Sequence, residues 1–232
     1  MISNLEKLLI WWDRVSDFYT LSYDDRKSYF ENIYNLSKSK FLKSKENITW
    51  TNYDDFLSYI ALYHWTLVKE RDLASLFDYD KDKLVLLLDF LQREWFIIIL
   101  NNFFDSKNLS FKIYFLDNWF RNFIISNFLN ISLRHDDWQL YESFVISKFI
   151  KNWVLYENMY YWINKMQKEV DLVITNWKKL FAYEIKLKKN IKESDLYTLQ
   201  YFWKKYKAEL AVINENLKWN NFWVNFIKSD DF

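Results

Sequence analysis

Apolar residues in the first half of the chain recur three and four positions apart, the spacing that gives a helix one buried side. Leu5–Ile10 and Asp24–Leu36 read as short helices, the second with Tyr29, Ile33 and Leu36 in phase. Ser37–Asn47 is rich in Lys and Ser and reads as a loop or a frayed helix end. Tyr53–His64 is amphipathic through Phe56, Ile60 and Leu62 or Tyr63. Lys69–Leu76 follows as a helix, then Asp80–Glu94, whose stripe is Leu84, Leu87, Leu88 and Leu91. Phe96–Asn101 and Ser110–Phe115 are strand-like and joined by the polar Asp105–Asn108. Three helices and then a two-stranded ribbon predict a winged helix at about 53–116, with Asp80–Glu94 as its recognition helix. That helix sets Lys81, Lys83 and Arg93 against Asp80, Asp82, Asp89 and Glu94. Its acidic balance favours a structural or protein-binding role over DNA binding.

The second half alternates differently. Asp117–Leu129 reads as a short apolar helix. Asp136 or Asp137 opens another that runs to Asn152, with Leu140, Phe144, Val145 and Phe149 inward. Val154–Trp162, Lys168–Thr175 and Lys179–Lys186 are expected strands. Ser194–Tyr206 is a helix capped by Ser194 or Glu193. Ala208–Asn214 is a fourth strand and Phe222–Ile227 a last one. The order αβββαβ is that of the restriction-endonuclease-like core. The expected class is therefore α/β, or α+β overall. A helical and winged-helix region covers 1–130 and a nuclease-like domain covers 131–232, with the boundary near Asn130–Arg134. No internal repeat is visible.

Composition narrows the chemistry. The chain has 232 residues, 51% of them hydrophobic, enough for a packed core. A net charge of +1 carries no global signature of nucleic-acid binding. The absence of cysteine excludes disulfides, thiolate metal sites and thiol nucleophiles. Two histidines, His64 and His135, are too few for a histidine-rich metal centre. No apolar run approaches the roughly 18 residues of a membrane span. Met1–Ile10 carries Glu6 and Lys7, unlike a signal peptide, so a cytoplasmic location without membrane contact is expected.

Glycine and proline are both absent, while there are 13 tryptophans. Average usage predicts about 16 glycines and about 12 prolines in this length. An AT-rich gene accounts for lost proline but not for zero glycine beside surplus tryptophan. The tryptophans also stand where glycines belong. Asn176-Trp177 lies between two expected strands, where Asn-Gly is the usual hairpin turn. Trp153 follows Asn152 at an expected helix end, the place of a C′ glycine. Asn118-Trp119 repeats the dipeptide, Trp11-Trp12 reads as a Gly-Gly loop, and Trp65 stands at a turn. Many tryptophans are thus expected to be recoded glycine, a TGA codon read as glycine in the organism. Trp138, Trp153 and Trp177 are expected to be exposed, and Trp162 to be more buried.

The residues able to do chemistry lie in the second half. Glu184 and Lys186 are two apart on one strand and project to one face. The preceding strand carries Glu169-Val170-Asp171, and a hairpin turning at Asn176-Trp177 brings Asp171 near Glu184. This is the D…E-x-K arrangement of a metal-dependent nuclease: Asp171 and Glu184 for Mg²⁺, Lys186 for the attacking water or the developing charge. Glu142, on the helix before the strands, is the candidate further carboxylate. The competing reading is that these groups merely tie the sheet together by ion pairs. Eight lysines (165, 168, 178, 179, 186, 188, 189 and 192) surround the segment and suit a phosphate backbone, or simply a solvated edge.

The stretches Ile113-Tyr114-Phe115-Leu116-Asp117-Asn118, Leu140-Tyr141-Glu142-Ser143-Phe144-Val145, Tyr160-Tyr161-Trp162, Lys168–Val173 and Ala182–Lys186 resemble the C-terminal part of a large group of prokaryotic AAA-type ATPases. That part is a domain of unknown function related to PD-(D/E)XK nucleases and preceded by a winged helix. The resemblance covers about residues 1 to 225 and implies the same fold and the same candidate residues. It also implies glycine at 119, 138 and often 177, and a true tryptophan at 162. No G-x-x-x-x-G-K-[ST] phosphate loop exists here, even with every Trp read as Gly, so ATPase activity does not carry over. The chain is expected to be a stand-alone C-terminal module or part of a split gene. Two functions follow: Mg²⁺-dependent hydrolysis of nucleic acid, or a non-catalytic DNA- or protein-binding module that partners a separate ATPase.

Overall fold

Helix α1 (Tyr23–Ser44) is longer than the sequence suggests, because its buried stripe runs through a polar residue. Phe30, Ser37 and Phe41 are all buried. The Ser37 hydroxyl meets the Tyr53 hydroxyl at 3.0 Å, and Phe41 packs on Tyr53 and Phe90. The expected loop from Ser37 is therefore helix as far as Ser44. This is a computed structural model of the chain, and it describes residues 22–44, 50–63, 65–104, 110–177, 179–187, 190–215 and 224–229. The expected helix Leu5–Ile10, the Trp11-Trp12 pair, His64, Asp105–Asn108, Lys178, Lys188 and Lys189 lie outside the described residues.

The chain divides into two compact units, Met1–Ile98 with Ile113–Phe144, and Ile99–Lys112 with Val145–Phe232. The boundary expected near Asn130–Arg134 falls inside the first unit. The first unit continues with α2 (Trp50–Tyr63), β1 (Val68–Lys69), α3 (Glu70–Leu76) and α4 (Lys81–Arg93). Asp80 caps α4 by accepting from the Lys83 N–H at 2.8 Å. Leu84, Leu87, Leu88 and Leu91 of α4 are all buried. Strands β2 (Ile97–Asn102) and β3 (Ser110–Phe115) contribute residues to both units. Helix α5 (Asn118–Ile124) is capped by the Asp117 carboxylate, which accepts from Trp119 N–H and Phe120 N–H. It stops short of the expected Leu129, because Ser126 turns left-handed and the chain closes on Phe123 and Asn122.

A buried polar knot holds this unit. Arg134 grips Asp136 through both carboxylate oxygens, and Arg121 reaches the same group at 2.6 Å. Both guanidiniums also donate to Asn122, and Arg121 donates to the Ala61 carbonyl of α2. Burial works against the Asp136 charge, but the two arginines outweigh it and hold the carboxyl well below its ordinary range.

Helix α6 (Asp137–Lys151) runs from the first unit into the second. The second unit adds β4 (Met159–Ile163), β5 (Glu169–Asn176), β6 (Lys179–Lys186), α7 (Tyr197–Tyr206), β7 (Glu209–Asn214) and β8 (Asn225–Lys228). From α6 to β7 the order is αβββαβ, and the chain is a mixed α/β fold. Its strands lie in the order β1-β3-β2-β4-β5-β6-β7-β8. β4, β5 and β6 are antiparallel, while α7 crosses over to set β7 parallel to β6. Strand β4 begins later than expected. Leu155 and Tyr156 are exposed and a 3-10 turn at Tyr156–Asn158 precedes the first pair, Met159 with Ile174. Residues Glu193–Leu196 form a 3-10 turn before α7, and the Asp195 carboxylate, not Ser194 or Glu193, closes it on the Lys192 N–H. Trp162, Val170, Val173, Ala182, Leu199, Phe202 and Val212 make the core. Among the described residues no helix is long and apolar enough to cross a membrane.

Candidate functional site

Two neighbouring strands build the site. The register of β5 on β6 pairs Leu172 with Tyr183, so the next pair outward sets Asp171 opposite Glu184. Directly opposed residues of an antiparallel pair share a face. On its other edge β5 is irregular: Tyr160 faces Val173 while Trp162 faces Val170, so three steps of β5 match two of β4. The extra residue falls at Asp171-Leu172 and explains how Val170 and Val173, an odd number apart, both enter one core. Such bulges re-aim a side chain, here beside Glu184.

The Asp171 carboxylate accepts from the Ile185 N–H at 2.7 Å. Glu184 is 6% exposed. Its Oε1 meets the Lys186 ammonium at 2.5 Å, and its Oε2 is buried with no hydrogen-bond partner. Burial pushes the Glu184 carboxyl up to about 8, helped by the Asp171 charge and opposed by Lys186. The structure thus brings Asp171, Glu184 and Lys186 together in the second unit. Glu142 belongs to the first unit, where it is buried and accepts from the Tyr114 hydroxyl at 2.6 Å.

Two further residues join this neighbourhood. Lys112 of β3 is buried, forms an ion pair with Glu169 and lies 5.9 Å from the centre of the Tyr161 ring. The Glu169 charge also bears on Glu184. The Glu169-Val170-Asp171 segment is visible in the sequence, but nothing local connects it to Lys112. Of the surrounding lysines, Lys168 stands over the Tyr201 ring at 4.5 Å and Lys179 pairs with Glu209.

Among the described residues, no group of three or more His, Cys, Asp and Glu converges as a metal cage. A pair of carboxylates nevertheless suits Mg²⁺, which keeps several waters and takes one or two protein carboxylates beside a phosphate. The unpartnered Glu184 Oε2 is the polar atom that such an ion would satisfy. Asp171 and Glu184 fit it.

Residues 139–227 match a family described as a domain of unknown function, DUF4143. No curated protein matches the chain. Among solved structures the chain is similar to protein VC1899 from Vibrio cholerae, at 16% identity and a TM-score of 0.29. The alignment covers 87% of this chain and 52% of that one, so the chain spans about half the length of that protein.

Proposed function

We propose that the second unit is a nuclease-like module that hydrolyses phosphodiester bonds of nucleic acid with Mg²⁺. The observation that carries this reading is the buried, unpartnered Oε2 of Glu184 beside Asp171 with a lysine at its other oxygen. Asp171 and Glu184 hold the ion, and the Ile185 N–H orients Asp171 for it. The ion, when bound, polarises the scissile phosphate and activates a water. Lys186 supplies a fixed positive charge for the water or the developing oxyanion. The lysines at 165, 168, 179 and 192 are candidates to attract the phosphate backbone. The segment of about 53–116 is proposed as a winged helix, and a separate ATPase as the partner of the module.

The second reading, a non-catalytic module that binds DNA or protein and partners an ATPase, is favoured by one observation. Lys186 already neutralises Glu184, as in a sheet held by ion pairs. Incubation of end-labelled single- and double-stranded DNA and RNA with the protein, with Mg²⁺ or Mn²⁺ and with chelator, separates the two. Ion-dependent cleavage that falls to background in Asp171→Ala and Glu184→Ala, with folding intact by circular dichroism, supports the enzyme. No cleavage by wild type with either ion rejects it.

A further inference from the structure

Among the described residues, eight adopt a left-handed backbone: Trp65, Asp78, Trp95, Ser126, Trp153, Gln167, Trp177 and Lys207. Half are tryptophan, in a chain with no glycine. For a bulky side chain a positive φ is an outlier, because Cβ crowds the following carbonyl. The other described tryptophans, at 50, 119, 138, 162 and 203, have no positive φ.

Hydrogen bonds explain two of the four sites. At the end of α4, Trp95 N–H bonds to the Gln92 carbonyl and Phe96 N–H to the Leu91 carbonyl. At the end of α6, Trp153 N–H bonds to Ile150 and Val154 N–H to Phe149. Both are Schellman closures with the tryptophan at C′, the position that glycine dominates. Trp65 follows α2 with φ 73° and donates to the Ile113 carbonyl. Asn176 pairs with Lys179, so Trp177 is the first of the two residues between β5 and β6, one later than an Asn-Gly turn centred on 176 and 177 would have it. A first loop residue with positive φ is the glycine position of a tight hairpin.

Two of these indoles also lack pockets. Trp153 is 91% exposed and Trp177 is 101% exposed, whereas tryptophan is normally well buried. Trp162, at 2%, packs against Phe202, Tyr201 and Tyr206. Trp119 is buried in a helical turn and stacked on Phe30, so its backbone asks for no glycine.

We infer that residues 65, 95, 153 and 177 are glycine in the protein as its organism makes it, encoded by TGA. Four separate backbone sites choose the same residue: 95 and 153 are glycine positions by their hydrogen bonds, 177 by turn geometry and 65 by its positive φ. Glycine at 177 has a consequence for the candidate site. The β5–β6 turn sets the register that places Asp171 opposite Glu184, and a one-residue slip moves one carboxylate to the other face. This consequence rests on the proposed function, whereas the residue assignment does not.

The test is the protein purified from its source cells, with the peptides spanning 65, 95, 153 and 177 sequenced by mass spectrometry. Glycine at the four positions is expected, with TGA codons behind them. Tryptophan at any position, or a TGG codon, overturns the assignment there. Independently, Trp→Gly at each of the four positions of the tryptophan-bearing chain is expected to raise the thermal midpoint by about 2–4 °C. Trp162→Gly is expected to lower it. A fall in midpoint at the four sites overturns the inference even where the hydrolysis assay succeeds.

Discussion

At the scale of single residues, Glu184 is a buried carboxylate with one oxygen left without a hydrogen-bond partner. A buried carboxylate with one unpartnered oxygen costs stability unless something compensates it. Its folded pKa lies near 8, above the roughly 4.3 of an exposed glutamate. The sign follows from linkage. The fold prefers the protonated form, so the unfavourable contribution is absent below about pH 4, grows as pH rises, and is complete above about pH 8. In ion-free protein, Glu184→Gln is therefore expected to raise the thermal midpoint, with little gain at pH 5 and the largest gain at pH 8.5. Adding Mn²⁺ should raise the wild-type midpoint and leave that of the variant unchanged. Equal wild-type and variant midpoints at both pH values would mean that the carboxyl is well solvated. Asp171, Glu184 and Lys186 were legible in the sequence because a short hairpin joins them, and hairpin geometry is local. Lys112 was not: its partner Glu169 lies far along the chain, and only the order of strands brings them together.

Elements depend on what closes their ends. The stripe of α4 was readable because Leu84, Leu87, Leu88 and Leu91 are all buried, with Asp80 capping the start. The length of α1 was not, because a buried serine interrupts the apolar pattern while still finding a partner in Tyr53. The Arg121–Arg134–Asp136 knot was also invisible, since it joins α2, α5 and the segment before α6 through side chains separated along the chain. Its energetics are testable. Asp136→Asn leaves two buried guanidiniums without their carboxylate, and breaking such a group costs about 3–5 kcal/mol. Because the folded carboxyl titrates below its ordinary value, its stabilisation is fully present above the unfolded pKa of about 3.9 and is lost as pH falls. Urea unfolding should show a constant gap between wild type and Asp136→Asn from pH 7 to about pH 4, narrowing below it. A gap that stays constant into the acid range would show that Asp136 does not titrate with folding.

At the scale of the whole molecule, the second unit is not continuous in sequence. The order αβββαβ reads as a self-contained domain from 131 onward, yet the unit recruits Ile99–Lys112 from well upstream. That segment brings three kinds of contact. Asn101 and Asn102 pair in parallel with Tyr160 and Tyr161 of β4. The Tyr161 hydroxyl bonds to Ser110, and Lys112 pairs with Glu169. A fragment of residues 131–232 lacks all of them. It leaves the β4 edge with unpaired backbone groups, an invitation to intermolecular pairing. It also strips the lysine from a partly exposed Glu169, two positions before Asp171. The fragment is therefore expected to associate in sedimentation runs and to unfold less cooperatively than the full chain. Adding Lys112→Met to the full chain should reproduce part of that loss of midpoint while the protein stays monomeric. If residues 131–232 instead unfold in one cooperative step at the midpoint of the full chain, the upstream segment only borders the sheet, and the sequence-level boundary near Asn130–Arg134 is the physical one.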